Sequence, residues 1–166
     1  MNRYHSGSDP GGSKGMSMTR DYVLKITNAA FPIIGVGLMI FYGVCETSCS
    51  YLHGSFLGLD LKVIGILYMA ALLALILPPA SRWAAPVRHL RTLLLSGALG
   101  GEILLVRFQV VHDTYCLFCL GFGSCILILF AANFTKMNKY LALCAFLAGI
   151  ATFALFFKGS VLPLYG

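Results

Sequence analysis

The sequence predicts an all-α integral membrane protein with five hydrophobic spans. Its 166 residues are 58% hydrophobic and only 11% charged, with a mean hydropathy of +0.84, which lies outside the range of soluble domains. Long uncharged apolar runs predict helices, because backbone polar groups in lipid are satisfied only within a helix or a closed barrel. The twelve Lys and Arg residues lie in short clusters between these runs and form no single basic stripe, which argues against nucleic-acid binding.

The N-terminal part divides into a tail and a first span. Residues 1–19 are rich in glycine and serine and contain no apolar run. We therefore predict a disordered tail there, followed by one transmembrane helical domain over residues 20–166. The first span, about 22–44, is longer than a signal-peptide core and lacks a clear small-residue cleavage site. It is predicted to be an uncleaved anchor that bends at Pro32.

Four further apolar runs approach the ~20 residues that a helix needs to cross the hydrocarbon core. They cover about 62–77, 92–111, 115–134 and 140–157. The second span is predicted to stop at Pro78 and Pro79, because proline lacks an amide donor and its ring clashes with the preceding turn. Five spans place the two termini on opposite sides of the bilayer.

Positive charge predicts the orientation of the spans, because lysine and arginine are enriched in cytoplasmic loops. They occur before span one, between spans two and three, and between spans four and five: Arg3, Lys14, Arg20, Lys25, Arg82, Arg88, Arg91, Lys136 and Lys139. The other two connections, 45–61 and 108–114, contain no lysine or arginine. We therefore predict a cytoplasmic N-terminus and a C-terminus on the outer side.

Two cysteine pairs are predicted to meet at the outer face. Cys45 and Cys49 follow the first span, and Cys116 and Cys119 open the fourth. In the first turn of a helix, free amides and the helix dipole favour a thiolate, and a Cys-Leu-Phe-Cys spacing brings two sulfurs within reach of a disulfide. A helical turn or a tight loop brings Cys45 and Cys49 equally close. Such pairs suit thiol–disulfide exchange.

Two other interpretations of these cysteines stay open from the residues alone. Either pair forms a static disulfide in an oxidising compartment, although two pairs at one face favour a redox relay. Four thiolates also suit zinc, but Cys116 and Cys119 begin a membrane helix rather than a polar loop, so no metal site is predicted. Cys125 and Cys144 lie inside apolar runs and are assigned to packing.

Three polar residues near these cysteines are weaker candidates for proton transfer. Glu102 falls within a span, where a carboxyl is costly enough to suggest a function. Two structural roles explain this residue equally simply. Glu102 could pair with Arg107, or it could lie in a helix contact as the neutral acid. His112 and Asp113 lie close to Cys116 in sequence, but a histidine in a short loop is more often only solvated.

Three segments between residues 22 and 134 together form a specific pattern. They are Cys49-Ser-Tyr-Leu-His-Gly-Ser55, an apolar helix with Gly65 and Tyr68, and Tyr115-Cys116-Leu-Phe-Cys119. With this pattern the chain resembles the vitamin K epoxide reductase family. The resemblance implies a four-helix bundle around a quinone site plus, as in bacterial members, a fifth transmembrane helix. It also implies a bacterial inner (cytoplasmic) membrane with the redox cysteines on the periplasmic side.

The resemblance further implies a role for each site residue. Cys45 exchanges with a separate thioredoxin-fold protein, and Cys49 exchanges with Cys116. Cys119 faces the quinone, which is ubiquinone or menaquinone, and Ser55 lies nearby as a supporting hydrogen-bond donor. The implied activity is that of a quinone-dependent thiol oxidoreductase, which oxidises its partner, passes the electrons to the quinone and so supports disulfide bond formation.

The sequence departs from the vertebrate members of the family at three points. The loop cysteines are only four residues apart, and Gly123 stands one turn beyond Cys119, where those members place a tyrosine. The asparagine expected near the start of the second helix is absent, and we assign the nearby Asp60 to the quinone site in its place. These departures favour quinone reduction over epoxide reduction.

Two alternative functions follow from other interpretations of the same residues. A non-enzymatic membrane scaffold would use the cysteines in structural disulfides, and trapping of mixed disulfides with a partner would distinguish it from an enzyme. A carrier of reductant towards the outside would need cysteines accessible from the cytoplasm, and the predicted topology places none there.

Overall fold

The structure is a computed structural model and describes residues 12–44, 52–76, 84–113 and 115–161. Within them five helices follow one another: α1 (Gly12–Val44), α2 (Leu61–Ala74), α3 (Ala84–Val111), α4 (Leu117–Asn133) and α5 (Lys139–Phe156). Three short strands, β1 (Leu52–Phe56), β2 (Leu59–Asp60) and β3 (Phe157–Val161), and a 3-10 turn over Phe134–Lys136 complete these elements. The fold is predominantly α-helical, as the composition predicts.

Four of these helices are long and apolar enough to cross a membrane. The segments are Tyr22–Val44, Ala85–Val111, Leu117–Lys136 and Lys139–Phe156. Many of their large apolar side chains are exposed, including those of Val44, Leu117 and Leu155. Water-exposed helices would carry polar side chains at such positions, whereas lipid-facing helices carry apolar ones. The protein is accordingly of the multi-pass helical membrane class.

The predicted second span corresponds to the shorter helix α2. Its 14 residues extend over about 21 Å at a rise of 1.5 Å per residue, whereas the hydrocarbon core is about 30 Å thick. Residues 77–83 lie outside the described part of the chain. Four of the five predicted spans therefore coincide with helices that are long and apolar enough to cross a membrane, and the crossing by α2 stays a prediction.

Two helices begin earlier than predicted. α1 starts at Gly12, so residues 12–19 of the predicted disordered tail are helical, and residues 1–11 lie outside the described part. α3 starts at Ala84 rather than at residue 92. Hydropathy shows only where the apolar run begins. An established helix can extend beyond that point, because each added polar residue or glycine lowers its stability by no more than about 1 kcal/mol. Pro86 is tolerated because amides of the first turn have no intrahelical partner.

A three-stranded antiparallel sheet covers one end of the bundle, in the order β2-β1-β3. Ser55 of β1 stands opposite Asp60 of β2 on one side and opposite Lys158 of β3 on the other. Gly58, at φ 82°, lies in the tight turn between β1 and β2, a conformation that glycine adopts without steric cost. This end of the molecule, where α1 ends and α4 begins, is called the sheet end below. The sheet was not predicted from the sequence.

The main core lies between α1, α2, α3 and α4. Its buried members are Met39, Met69, Leu72, Leu95, Phe122, Cys125, Ile126 and Leu129. A buried polar contact joins α1 to α4, since Asn133 Nδ2 donates to Asn28 Oδ1 at 2.7 Å and Asn28 Nδ2 donates to Asn133 Oδ1 at 3.3 Å. The reciprocal amide pair satisfies polar groups that have no water to bind, and so fixes the two helices against each other.

Glycines bring α3 and α5 close together. A Cβ on Gly149 would collide with the backbone of Gly97, and one on Gly100 would collide with the backbone of Phe146. Small residues allow such close approach between membrane helices, where dispersion contacts replace the hydrophobic effect as the source of association. α5, predicted as an addition to a four-helix bundle, therefore packs directly along one of the four.

Candidate functional site

Cys116 and Cys119 lie at the first turn of α4, at the sheet end. Cys116 is the N-cap residue, with an extended backbone, and its Sγ accepts a hydrogen bond from the N–H of Cys119 at 3.4 Å. The thiol of Cys119 donates to the same sulfur. The unpaired amides of a helix N-terminus thus point at a sulfur, which is how such a position stabilises a thiolate.

Side chains from α1 and α3 hold Cys116 in place. Its N–H donates to Gln109 Oε1 at 3.0 Å, and Gln109 is buried on α3. Tyr42 near the end of α1 packs with Cys116 and lies 5.5 Å from the ring of Phe118, measured between ring centroids. Cys116 is only 3% exposed. Its sulfur therefore lies under the end of the helix that leads directly to Cys45 and Cys49.

The environment of Cys116 favours its thiolate. The hydrogen bond from the Cys119 thiol is the largest cause that lowers the pKa of Cys116, to about 6, and backbone amides of Cys119 and Phe118 add to it. Burial of the sulfur acts in the opposite direction. Because the thiolate is the species that attacks a disulfide, this environment favours exchange through Cys116 with any sulfur that reaches it.

A cavity of about 420 Å³ lies between the helices next to Cys119. All five helices contribute to its wall, which is mostly apolar. The side chains in the wall that carry polar atoms are those of Tyr68, Glu102, Cys119 and Thr152. Its volume falls within the ~300–1,000 Å³ of small-molecule sites. An apolar wall with a few converging polar groups is the usual form of a ligand pocket. The Cys-Leu-Phe-Cys turn thus presents one sulfur to the cavity and keeps the other outside it.

The carboxyl of Glu102 lies against α4. A Cβ on Gly123 would come within 2.8 Å of Glu102 Oε2, so the carboxyl occupies the space above this glycine. Gly123 lies one turn beyond Cys119 on the same face of α4. A glutamate from α3 therefore occupies the space next to Gly123 on α4.

Glu102 has no ion-pair partner among the described residues. It is 8% exposed, and the ion pair found in these segments joins Lys62 to Asp60. Arg107, considered above as its partner, is exposed and lines a separate groove with His112. The pairing of Glu102 with Arg107 is therefore wrong, and the carboxyl faces the cavity instead.

The hydroxyl of Tyr68 faces the same cavity. It is buried and has no hydrogen-bond partner within the described segments. Its ring packs edge-on against Phe122, with 6.5 Å between the centroids, and its hydroxyl is close enough to Glu102 for an electrostatic interaction. An unsatisfied buried hydroxyl costs about 1–3 kcal/mol, and a ligand oxygen in the cavity would remove that cost.

Comparisons with known proteins supply no family for this chain. No protein-family model, no curated protein and no solved structure matches the chain. The function is therefore inferred from the site itself, together with the motifs that carry the resemblance.

The two other predicted quinone ligands lie closer to the sheet than to the cavity. Ser55 stands on β1 and lines neither the large cavity nor the small pocket beside it. Asp60 caps α2, with Oδ1 accepting from the Lys62 N–H at 2.9 Å and Oδ2 lying 3.5 Å from Lys62 Nζ. It shares a pocket of only about 20 Å³ with Cys119. Of the three predicted quinone ligands, the structure brings Cys119 alone to the large cavity.

The remaining cysteines separate into two groups. Cys45 and Cys49 lie outside the described residues, so their predicted roles stay predictions. Cys125 is buried in the main core and Cys144 is exposed on α5. All four cysteines within the described segments are free thiols. The structure therefore presents the Cys116 and Cys119 pair in its reduced form.

Sequence reasoning missed the contribution of α5 to the cavity. Its small residues Ala145, Ala148 and Gly149, followed by Thr152, lie on the wall. Their spacing of three to four residues marks one face of a helix, and small residues on one face are typical of a helix contact in membranes. That signal was available in the sequence. Tyr68 was noticed only as part of the family pattern, because a tyrosine in an apolar helix carries no further local signal.

Proposed function

We propose that this protein is a membrane thiol–disulfide oxidoreductase that passes electrons from a thioredoxin-fold partner, through two cysteine pairs, to a quinone. One observation carries the proposal. Cys119 lines an apolar cavity, whereas Cys116 is buried outside it beneath the end of α1. A relay between a protein disulfide and a small acceptor requires one sulfur that faces the acceptor and a second that lies towards the other cysteine pair.

The residues around the cavity fit a quinone. The wall is apolar enough for a ring and the first part of an isoprenoid tail, and the unpartnered hydroxyl of Tyr68 supplies a donor for a carbonyl oxygen. A bound quinone accepts two electrons and two protons and becomes the quinol. Cys119 and Tyr68 would contact its ring, and we assign ubiquinone or menaquinone as the acceptor.

The Cys116 thiolate supports both halves of the relay. When the reduced pair is oxidised, the Cys116 thiolate bonds to the Cys119 sulfur, and the pair gives up two electrons and the thiol proton of Cys119, while the second proton of the quinol comes from water. When the disulfide is reduced again, an incoming thiolate attacks Cys116, and Cys119 leaves and takes up a proton to become the thiol that faces the cavity. The second cysteine of the incoming pair then breaks the mixed disulfide and releases Cys116 as the thiolate. The lowered pKa of Cys116 favours the first step by keeping its sulfur ionised at neutral pH.

Chain connectivity keeps the other cysteine pair near this site. Cys45 follows Tyr42 by three residues, and Cys49 precedes Leu52 of β1 by three residues. At no more than about 3.6 Å per residue, each of these two Cα atoms lies within about 11 Å of a residue at the sheet end. We infer that Cys49 exchanges with Cys116, and that Cys45 exchanges with the partner protein.

The cellular arrangement follows from the charges and from the resemblance to the vitamin K epoxide reductase family. We infer that the protein lies in a bacterial inner membrane with its sheet end in the periplasm and its N-terminus in the cytoplasm. Four helices long and apolar enough to cross, together with α2, support this placement. A periplasmic thioredoxin-fold protein would then meet Cys45 directly.

Quinone reduction by the purified protein tests the proposal. The full chain in detergent is given either a reduced thioredoxin-fold protein or dithiothreitol, and quinol formation is followed by absorbance. We expect Cys116→Ala and Cys119→Ala to lose activity with both reductants. Cys45→Ala and Cys49→Ala should lose activity only with the protein reductant, because a small dithiol reaches Cys116 without the first pair. Cys144→Ala, which removes a lipid-facing thiol, is the matched control and should behave as the parent protein.

Two results would overturn the proposal. Absence of quinone reduction with either reductant would remove the enzyme and leave the scaffold with structural disulfides. Full activity of Cys119→Ala would show that electrons reach the quinone by another route.

A further inference from the structure

We propose that Glu102 and Tyr68 together bind an oxygen of the acceptor in the cavity, and that Glu102 passes it the proton released by Cys119. This inference rests on the function proposed above and adds two residues to the site. Neither residue belongs to the cysteine relay, and they come from two different helices, α3 and α2.

The positions of the two side chains carry the inference. Both line the cavity of about 420 Å³ that Cys119 also lines. The Glu102 carboxyl lies over Gly123, one helical turn from Cys119, and the two groups interact electrostatically. The Tyr68 hydroxyl is buried, lacks a partner among the described residues and lies close enough to Glu102 to interact with it. Groups from α2 and α3 thus face the same cavity as Cys119.

The chemistry of the cavity explains why a carboxyl is useful there. A carboxylate anion without a cation is costly in apolar surroundings, so the neutral acid, which can donate a hydrogen bond, is the form that such a wall favours. At neutral pH, where Cys116 is the thiolate, oxidation of the cysteine pair releases two electrons and one proton, that of the Cys119 thiol, and the second proton of the quinol comes from water. Glu102 gives its proton to the acceptor oxygen and regains one from the Cys119 thiol, so its own protonation is unchanged after each cycle.

The test uses the full chain in detergent with a short-chain ubiquinone analogue as the probe. Binding to the oxidised protein, where no electrons flow, is measured as Kd and by infrared difference spectroscopy in the carboxyl C=O region. The rate at which the probe oxidises the dithiothreitol-reduced protein is then measured in a single turnover. The variants are Glu102→Gln, Tyr68→Phe and Gly123→Ala.

We expect each variant to change a different quantity. Tyr68→Phe removes one neutral hydrogen bond and should raise Kd about 2- to 10-fold. Glu102→Gln keeps a donor but cannot transfer a proton, so Kd should change by less than about 2-fold while the single-turnover rate falls about 100-fold or more. The carboxyl band that shifts on binding should be absent from this variant. Gly123→Ala places a methyl against Oε2 and should displace that band without removing it.

Matched controls separate these effects from general damage to the fold. Ser96→Ala changes a buried polar residue of α3 that does not line the cavity, and Tyr140→Phe removes a hydroxyl from an exposed tyrosine of α5. Both should keep the parent Kd and rate.

The outcomes distinguish this inference from the function on which it rests. If the parent protein binds and reduces the probe but Glu102→Gln keeps a rate within about 2-fold of the parent, the proton role is overturned and the function stands. An infrared band that does not shift on binding in the parent also overturns it, even where a variant fails to fold. A parent protein that never binds the probe overturns both.

Discussion

At the scale of single residues, the chemistry of the site depends on what surrounds one sulfur. Cys116 caps α4, accepts hydrogen bonds from Cys119 and lies almost wholly out of water. The backbone of Cys116 is held by the amide oxygen of Gln109 on a different helix. Because Cys116 is the N-cap of α4, a change in the ionisation of its thiol should also change the stability of this helix N-terminus.

The thiolate of Cys116 should titrate near pH 6. Its fraction rises as the pH increases through about 6 and falls below it, so exchange through this sulfur slows on acidification. Cys119→Ala removes the strongest hydrogen bond to the sulfur and should raise the pKa. Thiolate ultraviolet absorbance of the reduced protein, recorded against pH, measures both. Cys144→Ala should leave the acidic step in place, and a step unmoved in Cys119→Ala would refute the hydrogen bond as its cause.

Two substitutions of Asp60 distinguish its role as the cap of α2 from its predicted role in binding the quinone. Asp60→Ala removes the acceptor for the Lys62 amide and should lower the free energy of unfolding by about 0.5–2 kcal/mol. Asp60→Asn keeps an accepting oxygen and should remain close to the parent in stability. Thermal unfolding in detergent measures this difference. If Asp60→Asn keeps its stability but weakens quinone binding, the predicted place of Asp60 in the quinone site is supported, and unchanged binding leaves it as a cap.

At the scale of elements, the contact between α3 and α5 decides whether the cavity has a closed wall. Gly97, Gly100 and Gly149 form that contact, and two of them also line the cavity. A side chain in the contact therefore acts on the fold and on the site together, because it separates the helices that enclose the ligand space.

Gly149→Ala and Gly37→Ala form a matched pair of substitutions. The first places a methyl against the backbone of Gly97 and should destabilise the protein by about 1–3 kcal/mol, as overpacking does. The second places a methyl where nothing lies within 4 Å, and should be neutral or stabilising by up to about 1 kcal/mol, because alanine favours a helix more than glycine does. Thermal melting in one detergent compares them. Equal effects in the two variants would contradict the close contact.

Sequence patterns located the helices better than they located the contacts between them. Hydropathy predicted α4 and α5 to within two residues at each end, because the burial of an apolar run in lipid is a local property. The pairing of β1 with β3 depends on segments that are far apart in the chain, and no local pattern marks it. The same holds for Glu102, whose position in a span was visible but whose contact with Gly123 required the packing of α3 on α4.

At the scale of the whole molecule, orientation remains the main prediction. With the N-terminus in the cytoplasm, the sheet end faces outward and the turn between α4 and α5 faces inward. In a background without native cysteines, Asp113→Cys should react with a membrane-impermeant maleimide in intact spheroplasts. Lys139→Cys should react only after permeabilisation. The opposite pattern would invert the topology and place the redox site on the cytoplasmic side.

The continuity of α5 with β3 has a consequence for biogenesis. β3 begins at the residue after α5 ends, and it pairs with β1, which a ribosome makes about a hundred residues earlier. A nascent chain that has inserted α1 through α4 already contains the Cys-Leu-Phe-Cys turn. It still lacks the wall of the cavity that α5 forms, and it lacks β3, the strand that pairs with β1. Synthesis and insertion of α5, followed by β3, supply both. The cavity next to Cys119 and the three-stranded sheet are therefore completed only after α5 and β3 have been made.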